Sequence, residues 1–218
     1  MAMNRKQYRQ LIVDTYGLPD EYPSWVNDRW LNVQIDRAHR EVSELTECIQ
    51  GSCGASAVAS GRTFTLTTDF IRVRSVEADT NSASLRARVL EPSTTDKLEA
   101  VNGNNWRSET GAPVNWYVED QRHLGLFPCS ATAGSSIYVY GPRYAAALSA
   151  DTTTSEIATS LEGPVVAFVC RELATLDESP AGEKRLIRFG QEYERGISKY
   201  RRVRPMVVGA QLTAPRRG

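Results

Sequence analysis

No apolar run in the sequence approaches the ~20 residues that a helix needs to cross a bilayer, so no membrane span is expected. Net charge is also missing: 26 Lys and Arg face 26 Asp and Glu, and no global field draws the chain to nucleic acid or an anionic surface. The early cations Arg5 and Lys6 are followed by no apolar signal core, so export by a signal peptide is not expected. Histidine is scarce. His39 lies beside Arg37 and Arg40 in a helical stretch and His123 at a strand start, and both read as solvated positions rather than catalytic bases. The H-E-x-x-H, G-x-S-x-G and G-x-x-x-x-G-K-[ST] patterns are absent, which removes the best-attested zinc, acyl-transfer and phosphate-binding signatures. Glu119 and Asp120 are adjacent, and neighbours in a strand point to opposite faces, so they read as a turn pair. No catalytic residue, metal ligand or cofactor is expected, and the chain reads as a non-enzyme.

Cysteine is sparse as well. Cys48 and Cys53 are close, but Cys129 and Cys170 lie far from them and from each other. Metal sites usually show two tight pairs, and a disulfide scaffold needs a denser set in a shorter chain. Free thiols in a reducing compartment are the expectation, with a Cys48–Cys53 bridge as the alternative. What remains is 218 residues of ordinary globular composition, enough to bury a real core.

The first fifty residues read as helical. Asn4 to Tyr16 forms one candidate, ended by Gly17 and Pro19. Ser24 caps the next, where Leu31, Ile35, Ala38, Val42, Leu45 and Ile49 recur at steps of four and three over about seven turns. Gly51 and the small residues up to Gly61 stop it. From Arg62 the period becomes two. Phe64 and Leu66, Ile71 and Val73, Leu85, Ala87 and Val89, and Val114, Trp116 and Val118 each alternate with polar neighbours, as in antiparallel strands with one wet face. Asp79–Ser82 and Ala131–Ser136 read as turns, Pro92–Val101 as a short helix, and His123–Phe127 and Ile137–Gly141 as further strands.

Helix returns after about Ser155. Gly163-Pro164 and Ser179-Pro180 are start signals, with apolar stripes on Val166, Val169, Leu173 and Leu176 and then on Leu186, Phe189, Tyr193, Ile197 and Tyr200. Helices at both ends around clustered strands predict an α+β fold, a helical bundle from both chain ends with an inserted antiparallel β-module. The expected boundaries are 1–61 for the amino-terminal helices, 62–143 for the β-module, 144–200 for the carboxy-terminal helices and 201–218 for a basic extended tail.

That tail carries the local signal the whole chain lacks. Arg195, Lys199, Arg201, Arg202, Arg204, Arg216 and Arg217 follow Glu194, and no acidic residue comes after it. Pro205 and Pro215 argue against continued helix, while Val207, Val208 and Leu212 are apolar. Ordering such a segment costs conformational freedom, so a bound partner must offset it. A solvated terminus, a docking peptide for a protein and a nucleic-acid contact all remain open. Trp106, Trp116, Tyr117, Phe127, Tyr138, Tyr140 and Tyr144 lie in or beside the strand region, as core or as contact surface.

The succession Gly111-Ala-Pro113, Trp116-Tyr-Val118, Leu124-Gly-Leu-Phe-Pro128, Ile137-Tyr-Val-Tyr140 and Leu148-Ser149 resembles the β-module of head-to-tail adaptor proteins of tailed bacteriophages. Paired helices before it and a helical hairpin with a basic tail after it are similar too, over residues 4 to 204. The resemblance implies a structural virion protein at the head–tail interface, made in the host bacterial cytoplasm. It implies a homo-oligomeric, dodecameric ring under the portal that extends the DNA channel and is a platform for the tail. On this reading Arg195, Lys199, Arg201, Arg202, Arg204, Val207, Val208 and Leu212 dock on the portal protein. Trp106, Trp116 and Tyr117 belong to a β-module facing the next tail or nozzle protein, and DNA passes without specific binding. The alternatives are a nucleic-acid-binding protein using the basic tail, another tail-completion or tail-tube component, and a small hydrolase or sugar-binding module.

Overall fold

Along the chain run helix α1 (Arg5–Tyr16), helix α2 (Asp28–Thr46), strands β1 (Gln50–Ser56), β2 (Thr63–Thr65), β3 (Ser75–Ala78), β4 (Arg88–Val89) and β5 (Glu91–Pro92), and helix α3 (Thr95–Asn102). Strands β6 (Thr110–Gly111), β7 (Asn115–Val118), β8 (His123–Phe127), β9 (Cys129–Ser130) and β10 (Ser136–Pro142) follow, then helices α4 (Glu162–Leu176) and α5 (Pro180–Leu212). The structure, a computed structural model, describes residues 2–18, 26–56, 62–78, 88–120, 122–130 and 136–212, with backbone alone for 55, 56, 130 and 203–212. Ser24, the turns at Asp79–Ser82 and 131–135, Leu85, Ala87, Pro215, Arg216 and Arg217 lie outside the described residues. The class is α+β. The chain divides into a helical unit, Met1–Ile49 with Tyr144–Gly218, and a β-unit, Gln50–Arg143.

In the helical unit, Asn4 caps α1 through a reciprocal capping box: its side chain accepts from the Gln7 N–H, and the Gln7 side chain accepts from the Asn4 N–H. Gly17, at φ 76°, closes the helix in the left-handed region that suits glycine. Asn27 caps α2, accepting from the Trp30 N–H at 2.8 Å. The helix is 19 residues long, shorter than the seven turns expected, because the chain turns at Glu47 (φ 48°), before Gly51. Leu31, Ile35, Ala38 and Val42 of its stripe are buried, while Leu45 is partly exposed and Ile49 is buried beyond the helix end.

Tyr8, Ile12 and Tyr16 of α1 and Phe189, Tyr193 and Ile197 of α5 join this core. α4 runs through the middle. Pro164 to Cys170 are all buried, so it is apolar all round rather than striped, and Leu176 of the expected stripe is exposed. Arg9 binds Asp151 in a bidentate fork (2.8 and 2.7 Å), and Arg5 pairs with Asp36 at 3.0 Å, whose other oxygen accepts the Leu148 N–H.

The last two helices meet where Gly196 faces Pro164. A Cβ on Gly196 would stand 2.4 Å from the Pro164 Cγ, and the proline ring cannot rotate away. Gly196→Val is therefore expected to force α4 and α5 apart at a cost of about 2–3 kcal/mol. Thermal unfolding should show a fall in Tm of roughly 5–10 °C, and an unchanged Tm would refute the close contact.

Among the described residues the β-unit holds two four-stranded sheets, ordered β1-β10-β3-β4 and β2-β8-β7-β5, and a two-stranded sheet, β6-β9. Most pairings are antiparallel as expected, but β5–β7 and β6–β9 are parallel. β1 falls where helix termination and a small-residue stretch were expected up to residue 61. It pairs with β10 over seven residues, from Gln50↔Pro142 to Ser56↔Ser136. Ile71 and Val73 are not in a strand, and the short helix begins at Thr95 behind a Thr94 cap. Cys53, Val76, Leu90, Trp116, Leu124, Leu126, Ile137 and Val139 are part of one core cluster; Leu98, Trp106, Tyr117 and Phe127 form another. Adjacent residues Trp116 and Tyr117 thus enter different clusters, so β7 is buried on both faces instead of having one wet face.

Candidate protein-docking surfaces

The residues expected to dock a partner lie on the far half of α5. Its near half is fixed by apolar spacing: Phe189, Tyr193 and Ile197 recur at four-residue steps and are buried. Tyr193 also donates its hydroxyl to Glu41 on α2 at 2.8 Å. Burial, and then this bond to a carboxylate, hold the phenol well above its usual range, so it stays a neutral donor. Eight residues on, Arg201 Nε donates to the Leu45 carbonyl at 2.8 Å. That carbonyl belongs to the last turn of α2, where acceptors lack helical partners and the helix dipole favours a cation. Two polar clamps therefore hold α5 against α2.

Arg201 is thus already engaged within the chain. Arg195, Lys199 and Arg202 are exposed, and none has an ion-pair partner among the described residues. The backbone of residues 201–212 is helical, where an extended tail was expected. Pro205 has no N–H to offer the Arg201 carbonyl and its ring crowds that carbonyl, which usually kinks or ends a helix, yet the backbone runs on as helix through it. Arg204, Val207, Val208 and Leu212 lie on this helical backbone, and their side chains are outside the described set.

The aromatic residues expected on a contact face are elsewhere. Trp106, Trp116 and Tyr117 are 3, 6 and 2% exposed, which makes them core and removes them as contact residues. Trp106 stands edge-on to Tyr117 (5.3 Å, 81°) and to Phe127 (5.8 Å, 74°). Among the described residues Tyr138 and Tyr140 are the exposed aromatics, 41 and 38% exposed, on the face of β10 opposite buried Ile137 and Val139. Period-two alternation around Ile137 and Val139 carried that distinction, whereas the two-faced burial of β7 had no signal in the alternation of Val114, Trp116 and Val118.

The remaining candidates for chemistry are dispersed. His123 is partly exposed and pairs with Asp120 at 2.8 Å; hydrogen bonds from the Arg122 backbone and then the His123 ring hold that carboxyl below its usual range. His39 is not solvated: it is buried, edge-on to Tyr8 at 5.0 Å, with Nε2 3.4 Å from Ser155 Oγ. All four cysteines are free thiols. Among the described residues no group of His, Cys, Asp or Glu is arranged to hold a metal, and no helix is long and apolar enough to cross a membrane. No curated protein matches the chain. A family described as SU10 adaptor protein matches residues 6–216.

Proposed function

The chain belongs to the SU10 adaptor protein family of phage head–tail adaptors, and from that premise we propose that it forms a homo-oligomeric ring beneath the portal. The ring extends the DNA channel and provides the platform on which the tail assembles. The role is structural and needs no catalysis or cofactor. The protein is made in the host cytoplasm and acts in the virion.

The far half of α5, from Arg195 to Leu212, docks on the portal. The observation that carries this is the charge of that half: five cations and no acidic residue, on a helix whose nearer half is already packed in the bundle. Arg195, Lys199 and Arg202 are the described side chains available for it, and Arg201 holds the helix in place. The β-unit meets the next tail or nozzle protein. Tyr138 and Tyr140 serve there in place of the buried Trp106, Trp116 and Tyr117, since aromatic residues are enriched in contact patches.

Light scattering of the purified chain, alone and mixed with the portal ring of the same phage, tests the reading. The full chain is expected to join the portal. Deleting residues 201–218 should leave circular dichroism that of a folded bundle, because the buried stripe ends at Ile197, while portal joining is lost. A deleted chain that still joins the portal would refute the docking assignment. A full chain that ignores the portal and binds DNA with steep salt dependence would return the nucleic-acid reading.

A further inference from the structure

Resting on that portal-docking reading, we propose that α5 engages its partner through a preformed ladder of three cations, Arg195, Lys199 and Arg202, and that the receiving protein surface carries carboxylates. Steps of four and three residues place the three on one helix face, over about 10 Å at 1.5 Å rise per residue. All three are exposed, and none is ion-paired among the described residues.

The free protein gains nothing from this arrangement. Like charges three and four residues apart on a helix repel. The near half of α5 avoids that: Arg188 pairs with Glu192 at 2.8 Å and Arg185 with Asp177 at 3.4 Å. A merely solvated face would be expected to mix signs in the same way. Arg201, one residue from the ladder's end, turns to the Leu45 carbonyl instead, so the helix is anchored on one side and its cations stay available on another. An opposing set of carboxylates removes the repulsion, and the arginine forks match carboxylates bidentately.

A protein surface fits better than a nucleic acid. Glu183, Glu192 and Glu194 lie on the preceding part of the same helix, and all are exposed. A long polyanion lying along α5 would meet these carboxylates, whereas a compact acidic patch can face the ladder alone. The chain's zero net charge gives a polyanion no compensating attraction at longer range.

The test is portal binding by the full-length chain and by the variant Arg195→Glu/Lys199→Glu/Arg202→Glu, from about 50 to about 500 mM NaCl. The three positions are exposed, so circular dichroism should stay native. We expect wild-type affinity to fall with salt, and the triple variant to bind on the order of 100-fold more weakly at low salt. Lys184→Glu, a charge reversal at another exposed position of α5, should bind as wild type does. If the triple variant binds the portal as tightly as wild type, the ladder is overturned while the docking reading stands. If wild type itself does not join the portal, both fall. If the triple substitution instead abolishes binding to a duplex of about 30 base pairs with a salt slope near that of three phosphates, and spares the portal, DNA is the ligand and the proposal is overturned.

Discussion

Replacing Gly125 by alanine is expected to destabilise the β-unit by about 3 kcal/mol, although it adds a single methyl group. Gly125 lies in the middle of β8, between Thr63 of β2 and Tyr117 of β7. A Cβ there would fall 2.0 Å from Tyr117 Cζ, inside the ring's van der Waals envelope. Were Tyr117 a surface side chain, the ring would swing aside at little cost. It is buried, with Trp106 edge-on against it, so relief would require the whole second cluster to shift. The ring therefore uses the space that the missing side chain leaves, a common reason for glycine inside a strand. Urea unfolding followed by tryptophan fluorescence would report the loss, since Trp106 and Trp116 both sit in this unit. The double variant Tyr117→Ala/Gly125→Ala removes the clash and should cost about 2 kcal/mol less than the sum of the single changes. An alanine variant within ~0.5 kcal/mol of wild type, or strict additivity, would show that the ring does not depend on the glycine.

Gly125 also shows where the sequence is legible and where it is not. The run His123–Phe127 reads as a strand from its composition, and so it is. That its glycine receives an aromatic ring depends on the register with β7, which local pattern does not encode. The same limit explains β1. Gln50–Ser56 has neither alternating apolar residues nor branched side chains, and it becomes a strand through pairing with β10. Helix starts were easier, since caps and prolines act within a few residues. Asn4 and Pro180 stand where helices begin, as their chemistry dictates, whereas α3 begins at Thr95 behind the Thr94 cap and not at Pro92. Helix ends were harder where no glycine marks them: α2 stops at Glu47, a residue seldom found in the left-handed region.

The docking surface was half legible. Charge segregation along α5 is visible in the sequence, because all the acidic residues of the helix precede Arg195. Which cation is spent internally is not visible, since the Leu45 carbonyl that engages Arg201 is 156 residues away in the chain. The aromatics mislead for a related reason. Composition marks Trp106, Trp116, Tyr117, Tyr138 and Tyr140 equally; alternation in β10 separates Tyr138 and Tyr140, but only the fold takes the other three into the core. His39 is the clearest misreading: between arginines it looks solvated, yet it sits one step after Ala38 on a helix flanked by α1 and the Ser155 segment, and it is 1% exposed.

Acid is expected to loosen the helical unit through that histidine. Burial pushes the His39 imidazole down to about 4 from its usual 6.5; the Asp36 carboxylate opposes the shift and the Arg5 guanidinium reinforces it. Tyr8, packed edge-on to the ring, has its own phenol pushed up to about 12, again by burial first, and supplies no charge across this range. Between pH 6.5 and 4 the unfolded chain therefore binds a proton that the folded chain refuses. Stability should be full above pH 6.5, fall as pH drops through the window, and be down by about 3 kcal/mol at pH 4. Asp120, Asp151 and Asp177 are held below the usual aspartate value of 3.8, so their own losses come at lower pH and do not mask the effect. Urea titrations at several pH values should give that slope, and His39→Gln, which keeps a polar partner for Ser155 without the titration, should flatten it whatever its absolute stability. A wild-type free energy that stays level from pH 6.5 to 4, or an imidazole that titrates near 6.5 by NMR in the folded protein, would show that His39 reaches water and that the helices around it are not closed.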